Sequence, residues 1–313
     1  MLRGPIADPD FKGQFSGHET FPLRHLWLRK AYDAVSKGRE GAPRSLFSSP
    51  EAIVTFGVGK NMATSIRHWA LACDVIREEG EHVLPGPLGS FLFDSESGRD
   101  PFMESPATTW ILHWLIAGRP ERTTTWYYAF NHFSPQTFTR EDLAELIRRL
   151  CKERGWTRSS AATLKRDVEC FIRTYVSRLD SRMPDDSMEP VLTELGLIRP
   201  VSGRTFEFRS GPKASLPDGV FLFALNDFWL RSAPDQRTFA VETLAYEPGS
   251  PGRVFRLDEQ SLIERLARIG DSSEGRFVWS DTAGVRSVTR RVEEIEGLEL
   301  LDLAYDTEQR SAA

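Results

Sequence analysis

Cysteine is scarce in this chain. Three occur in 313 residues, Cys73, Cys151 and Cys170, an odd number set far apart. There is no CxxC pair and no Cys/His spacing of a zinc motif, which excludes a disulfide framework and a structural zinc site. Each cysteine falls in a helical apolar pattern, so each is expected as a reduced, buried thiol. Long apolar runs and a signal-peptide pattern are also missing, so the expectation is a soluble intracellular protein without a membrane partner. A charge excess of one sign is lacking too: 40 Lys and Arg stand against 45 Asp and Glu, a formal −5. No global field therefore points to nucleic acid. A modular binder needs only a local basic face, so the distribution of charge along the chain is the informative quantity. Aromatics are plentiful, with 20 Phe and 8 Trp, enough to fill more than one core. The length suggests two or three domains.

The densest chemistry lies near the N-terminus, in Phe15-Ser16-Gly17-His18-Glu19-Thr20-Phe21-Pro22-Leu23-Arg24. It joins a small-residue turn, an imidazole, a carboxylate and a guanidinium between aromatic anchors, just before an amphipathic helix over 23–37. His18 and Glu19 have the chemistry of a general base or a metal-ligand pair, and Arg24 that of a phosphate neutraliser. These three are the candidate catalytic residues. A metal nuclease needs further carboxylates, for which Asp33, Glu51, Asp94 and Glu104 are the sequence-distant candidates. Ser16, His18 and Glu19 fit equally well as helix-capping residues bonded to backbone. The metal ligands are not assigned.

Residues 1–14 read as a loose lead-in. Beyond the motif, a short helix over 51–56, the turn Gly57-Val58-Gly59 and a second helix over 60–73 precede two short strands. That order is the order of a winged helix-turn-helix. Met62, Ile66, Trp69, Ala70 and Cys73 form the apolar face of the second helix. Lys60, Asn61, Thr64, Arg67 and His68 fall largely on the other, and suit phosphates and base edges. Use of this unit for protein contacts alone is the other reading. The four-residue spacer and Lys-Ser/Thr ending of a Walker loop are absent at 57–60, which excludes nucleotide binding there. The acidic loop at 94–106 lacks the spacing of a calcium loop. Residues 107–117 read as a helix with His113 near its apolar face, satisfied rather than ligating. Residues 123–133 are unusually aromatic, either a core helix or a stacking surface for unpaired bases.

A second unit starts at Phe138, with Thr139 capping a helix that carries Leu143, Leu146, Ile147 and Leu150. A turn at 155–160 leads to a helix over 161–175. Between residues 140 and 182, eleven Lys and Arg face seven Asp and Glu, a local excess of four. Arg158, Lys165 and Arg166 are its candidate DNA contacts. Pro184 to Ser187 reads as a linker, and 205–209 and 220–225 as strands of a wing. Residues 226–247 return to helix, and Pro248 to Gly252 is the clearest linker. In a third unit, a helix over 285–293 carries the candidate contacts Arg286 and Arg290, and 298–305 closes it as a strand. The expectation is a mainly α fold with small β wings (α+β), built of tandem winged helix-turn-helix-like units. The expected domains are 1–135, 136–247 and 253–313.

The opening motif, with Trp27-Leu28 and Lys30-Ala31-Tyr32 behind it, resembles the start of an SspB-like bacterial family catalogued as domain of unknown function 4007. Ala52-Ile53-Val54, Phe56-Gly57-Val58-Gly59-Lys60-Asn61-Met62 and Ser65-Ile66-Arg67 are similar to its second hallmark, and Asp100-Pro101, Pro106-Ala107-Thr108 and Thr125-Trp126-Tyr127 to later ones. Family members are associated with bacterial DNA phosphorothioation and phage defence. The resemblance implies a DNA nickase that opens one strand so that sulfur can be installed at the phosphate, or else a non-catalytic DNA-binding or adaptor subunit. It implies double-stranded DNA, a cysteine desulfurase and an ATP pyrophosphatase as partners, and a cytoplasmic, nucleoid-associated location. A divalent metal, magnesium or manganese, would serve the cleavage. A homodimer is a further expectation. The resemblance assigns no role to His18 or Glu19, which rest on the residues alone.

Overall fold

Three very short strands organise the chain. The computed structural model describes residues 2–38, 40–157, 159–177 and 190–312, with side chains to residue 306. In the first segment α1 (Trp27–Val35) is followed by β1 (Ala42–Pro43), α2 (Ala52–Phe56), α3 (Lys60–Ala72), the hairpin β2 (Ile76–Glu79) and β3 (His82–Pro85), and α4 (Pro87–Phe93). In the second, α6 (Thr124–Asn131) leads to β4 (Thr137–Thr139), α7 (Arg140–Glu153), α8 (Ala161–Tyr175), β5 (Ile198–Ser202) and β6 (Thr205–Phe208). In the third, α9 (Asp218–Ser232) precedes β7 (Thr238–Ala240), α10 (Val241–Tyr246), α11 (Pro251–Val254), α12 (Glu259–Ala267), α13 (Ile269–Ser272), β8 (Phe277–Thr282) and β9 (Val285–Arg290). All three sheets are antiparallel and share one order, β1-β3-β2, β4-β6-β5 and β7-β9-β8. The lone strand always lies beside the second strand of the hairpin. The register pairs Ala42 with Val83, Phe138 with Phe206 and Phe239 with Val288, and all six side chains are buried. One apolar cross-strand pair per sheet thus closes each hairpin onto its helices.

About half of the described chain is helix. The capping expected at Thr139 is complete: its side chain accepts from the Asp142 N–H, and the Asp142 carboxylate accepts from the Thr139 N–H at 2.9 Å. All three cysteines are free and buried.

Several expectations change. The lead-in is docked rather than loose: Ile6 is fully buried, and the Trp156 indole donates to Phe11 O at 3.1 Å. Residues 220–225 belong to α9, because a short apolar run does not distinguish a buried strand from a buried helix. Residues 298–305 lie in α14 (Gly297–Ala312), where Leu300, Leu301, Ala304 and Tyr305 are buried at helical spacing. Gly219 lets α14 approach α9, since a Cβ there would sit 2.5 Å from Ala304 N. Residues 285–290 form a strand rather than a helix. Ala283 and Gly284 both have positive φ and close a two-residue hairpin loop between β8 and β9. The segment expected as the clearest linker, 248–252, is packed, with Ser250, Pro251 and Gly252 buried. The third sheet takes β7 from before it and β8 and β9 from after it. Pro184 to Ser187 lies outside the described residues.

At the centre lies α5 (Pro106–Gly118), buried from Ala107 through Gly118 on every side. Its His113 bonds the Tyr175 hydroxyl through Nδ1 and Val254 O through Nε2, both at 2.8 Å. Trp126, Tyr127, Phe130 and Phe133, in and beside α6, are buried as core, which removes the base-stacking alternative. Burial pushes the His113 imidazole down to about 3 and the His132 imidazole down to about 4. Both are neutral in the folded protein, whereas an unfolded imidazole takes its proton near 6.5. Their stabilisation is therefore complete above pH ~6.5 and declines as pH falls. Each contributes a slope of up to about 1.4 kcal/mol per pH unit below that value. Urea unfolding at pH 7, 6 and 5 should show a falling midpoint, less steep in His113→Gln; a flat wild-type profile would contradict the buried neutral imidazoles.

Candidate functional site

The Phe15–Arg24 segment is wedged between helices of the first two units. Its backbone is turned by left-handed residues, Gly17 (φ 108°), Glu19 (φ 47°) and Thr20 (φ 66°). For β-branched Thr20 this is a strained conformation held by its surroundings. At Gly17 a Cβ would lie 2.7 Å from His68 Nδ1, so no larger residue fits. The turn's carbonyls are taken up from both sides: Arg173 on α8 donates to Thr20 O at 3.3 Å and the Trp69 indole on α3 to Phe21 O at 3.0 Å.

These anchors carry His18 into the interior, where it is 3% exposed. The Thr20 N–H donates to its Nδ1 at 3.0 Å, which leaves Nε2 to carry the proton. Nε2 lies 2.7 Å from Asp167 Oδ1, and Thr125 donates to the other oxygen of that carboxylate. Asp167 is 2% exposed. His18 thus ties the N-terminal motif to α8 and α6 through one buried carboxylate. Both ring nitrogens are engaged and neither faces solvent. The His68 ring stands edge-on to His18 at 5.8 Å and to Trp69 at 5.1 Å. Burial, and then the charges of His18, Arg122 and Arg67, hold His68 well below the usual histidine range. Its Nε2, Ser65 Oγ and Trp126 Nε1 are buried without a hydrogen-bond partner among the described residues.

The other candidate catalytic residues part company with His18. Glu19 is exposed at the turn. Arg24 is buried, its guanidinium 5.7 Å from the Phe21 ring and 5.5 Å from the Trp27 ring. The capping alternative also changes, since no side chain caps α1. The distant carboxylates do not gather here: Asp33 pairs with Arg29 at 2.8 Å, Asp94 accepts from its own loop, and Glu51 and Glu104 are exposed. Among the described residues no group of three or more His, Cys, Asp or Glu is placed to hold a metal ion.

Of the candidate DNA contacts, Lys60 and Asn61 are exposed and Thr64 half-buried at the start of α3; Lys165 and Arg166 are exposed near the start of α8. His68 leaves that outward set, because the motif packs over the second half of α3 and buries Ser65, Ile66 and His68 together. Arg67 is drawn to Glu78 on β2, which Arg122 also approaches at 3.4 Å. Arg286 sits on a strand, 3.2 Å from Asp281. Arg290 ends that strand and donates to Pro234 O at 2.8 Å. Arg158 lies outside the described residues. Asp167 and Thr125 escaped the sequence reading. The available signal was an acid in register with Leu164 and Phe171 on the apolar stripe of α8, a position that demands a buried partner.

The chain belongs to the DUF4007 family, described as protein of unknown function, whose model matches residues 15–305. Among solved structures it is similar to magnesium ion-bound SspB, with 28% identity and a TM-score of 0.83 over 97% of this chain and 91% of that one. A second SspB crystal structure matches with 29% identity and a TM-score of 0.78, over 95% and 87%. No curated protein matches the sequence. Among the described residues no helix is long and apolar enough to cross a membrane.

The buried cluster has a direct test. Asp167→Ala leaves two buried donors unmatched and should cost about 3 kcal/mol. Thr125→Val should cost about 1 kcal/mol. Urea unfolding measures both, and a loss below ~1 kcal/mol for Asp167→Ala would show that the pair does not hold the units together.

Proposed function

We propose that this protein binds double-stranded DNA as part of a bacterial DNA phosphorothioation system, gripping the phosphate backbone with the exposed ends of α3 and α8. The observation that carries this reading is the threefold repetition of one order: a helix, a short strand, further helices and a hairpin whose second strand is central. This is the order of a winged helix-turn-helix, whose second helix enters a major groove. In the first two units that helix carries exposed donors: Lys60 and Asn61 open α3, where backbone N–H groups favour anions, and Lys165 and Arg166 lie one turn into α8. The likeness to SspB over most of both chains supports the phosphorothioation setting. A cysteine desulfurase and an ATP pyrophosphatase are the partner proteins of this reading, with a cytoplasmic, nucleoid-associated location and a homodimer as its further elements. Arg290 would contact DNA from the third wing and Thr64 from α3, while Arg67 and Arg286 are already held by Glu78 and Asp281.

Anisotropy of a labelled duplex tests it. Binding should weaken steeply between about 50 and 200 mM salt. Lys60→Ala should lower the slope of log K against log salt by about 1, and the Lys165→Ala/Arg166→Ala pair by about 2. Absence of binding at low salt, or a salt-independent affinity, would overturn the reading.

Strand nicking is a second reading, favoured by the magnesium ion in one of the similar SspB structures. It places a divalent metal near the motif, with exposed Glu19 as its ligand or base, His18 behind it and Arg24 as phosphate partner. Relaxation of supercoiled plasmid with magnesium or manganese should then be lost in Glu19→Ala and in folded His18→Ala. Undiminished nicking by both would remove the motif from the chemistry, and no nicking with either metal would leave the binding reading alone.

A further inference from the structure

The turn from α9 into β7 and the exit of β9 enclose a cavity of about 300 Å³ lined by Arg237, Arg290, Arg291, Asp235 and Glu293. The arginines are not equivalent. Arg237 pairs with Glu293 at 2.5 Å on the open rim. Arg290 is held at the wall: Nη2 donates to Pro234 O at 2.8 Å, and the guanidinium lies 5.8 Å from the Trp229 ring. Its other terminal nitrogen, Nη1, is buried and has no acceptor among the described residues. Arg291 is exposed. Arg265, Arg268, Arg276 and Arg286 of the same unit each hold a carboxylate. Arg290 and Arg291 have none among the described residues.

A buried guanidinium donor without an acceptor is costly, and charged donors cost more than neutral ones. Water would satisfy the hydrogen bond but would leave the lining with a net charge of +1, three arginines against Asp235 and Glu293. A tetrahedral oxyanion meets both needs, because its oxygens accept from two guanidinium forks at once. We propose that this cavity is a phosphate site, in which Arg290 Nη1 and Arg291 hold the oxyanion and Arg237 lines the rim. Two sources present that chemistry, a phosphodiester of the DNA backbone and a small free phosphate. In the first case the proposal rests on the DNA-binding reading; in the second it stands apart from it.

The test uses the full chain. Calorimetric titration with inorganic phosphate is run beside duplex anisotropy, for wild type, Arg291→Gln, Arg290→Lys and Arg148→Gln. The last removes a charge from an exposed pair with Glu145 on α7 and serves as the control. Arg290→Lys keeps the charge and an aliphatic stem over Trp229 but loses the fork. If the source is DNA, Arg291→Gln and Arg290→Lys each bind duplex about tenfold more weakly, and Arg291→Gln lowers the salt slope by about 1, with Arg148→Gln unchanged. If the source is free phosphate, wild type binds phosphate alone and both variants lose it, whether or not duplex binds. Wild-type duplex binding that neither variant alters, with no phosphate binding, overturns the site and leaves the DNA reading intact. Phosphate binding without duplex binding keeps the site and removes the DNA reading. Absence of both removes the two together.

Discussion

A helix buried on every side must find a partner for each polar atom it carries, and α5 meets that requirement by reaching into all parts of the chain. The Thr108 hydroxyl bonds the Asp100 carboxylate at 2.5 Å and lies 2.8 Å from the Tyr305 hydroxyl of α14. Thr109 donates to Glu194 at 2.5 Å. The Trp110 indole reaches Ser215 and the Trp114 indole Asp227 of α9. His113 spans Tyr175 of α8 and Val254 of α11. Each bond is worth little by itself, but an unmade one in this dry interior costs the full desolvation of its group. The polar inventory of one helix therefore fixes where the three strand-and-helix units sit. The packed segment at 248–252 follows from this, since it carries α11 to His113.

The N-terminal motif applies the same rule at a second point. His18, Asp167 and Thr125 come from three elements and satisfy one another where solvent is absent. The left-handed residues at Glu19 and Thr20 are the cost of bringing His18 inward, sustained by the Arg173 and Trp69 bonds to the turn. The motif is long because it must turn sharply, seat an imidazole and present aromatic anchors within ten residues. Its specificity is therefore accounted for by packing alone. The turn leaves Ser16, Glu19 and Thr20 outside, and Glu19 is the carboxylate among them, so any acid–base chemistry in this segment acts from its side.

Periodic apolar positions were enough to locate α3, α5, α7, α8 and α12, and the capping box at Thr139 marked the start of α7 to the residue. Legibility failed where one pattern serves two structures. The apolar run at 220–225 suits a buried strand as well as a helix buried all round. Val285, Val288 and Val292 fall at helical spacing, yet the first two lie in a strand set by the Ala283-Gly284 turn and the pairing with β7. The site failed for a different reason. Composition located His18 but not its partner 149 positions away, and it could not show that the motif would cover half of α3 and take His68 inside. A face that is polar by sequence faces solvent only if nothing else packs on it.

The near-balance of charge has a structural consequence. Arg67, Arg99, Arg119, Arg140, Arg199 and Arg265 are each spent on a carboxylate within the chain. Such pairs contribute little to affinity for an outside anion, since their field is largely cancelled at short range. Among the described cations without a carboxylate partner are Lys60 at the start of α3, Lys165 on α8, and Arg290 and Arg291 beside the third sheet, and these retain a field. They recur near the corresponding helix or wing of successive units. A chain with a formal charge of −5 can thus present local positive ends without a basic surface. Weak overall repulsion of a polyanion with a few fixed contacts favours binding that depends on geometry more than on bulk attraction. Under the proposed DNA-binding reading, that balance suits holding one backbone position rather than coating the duplex.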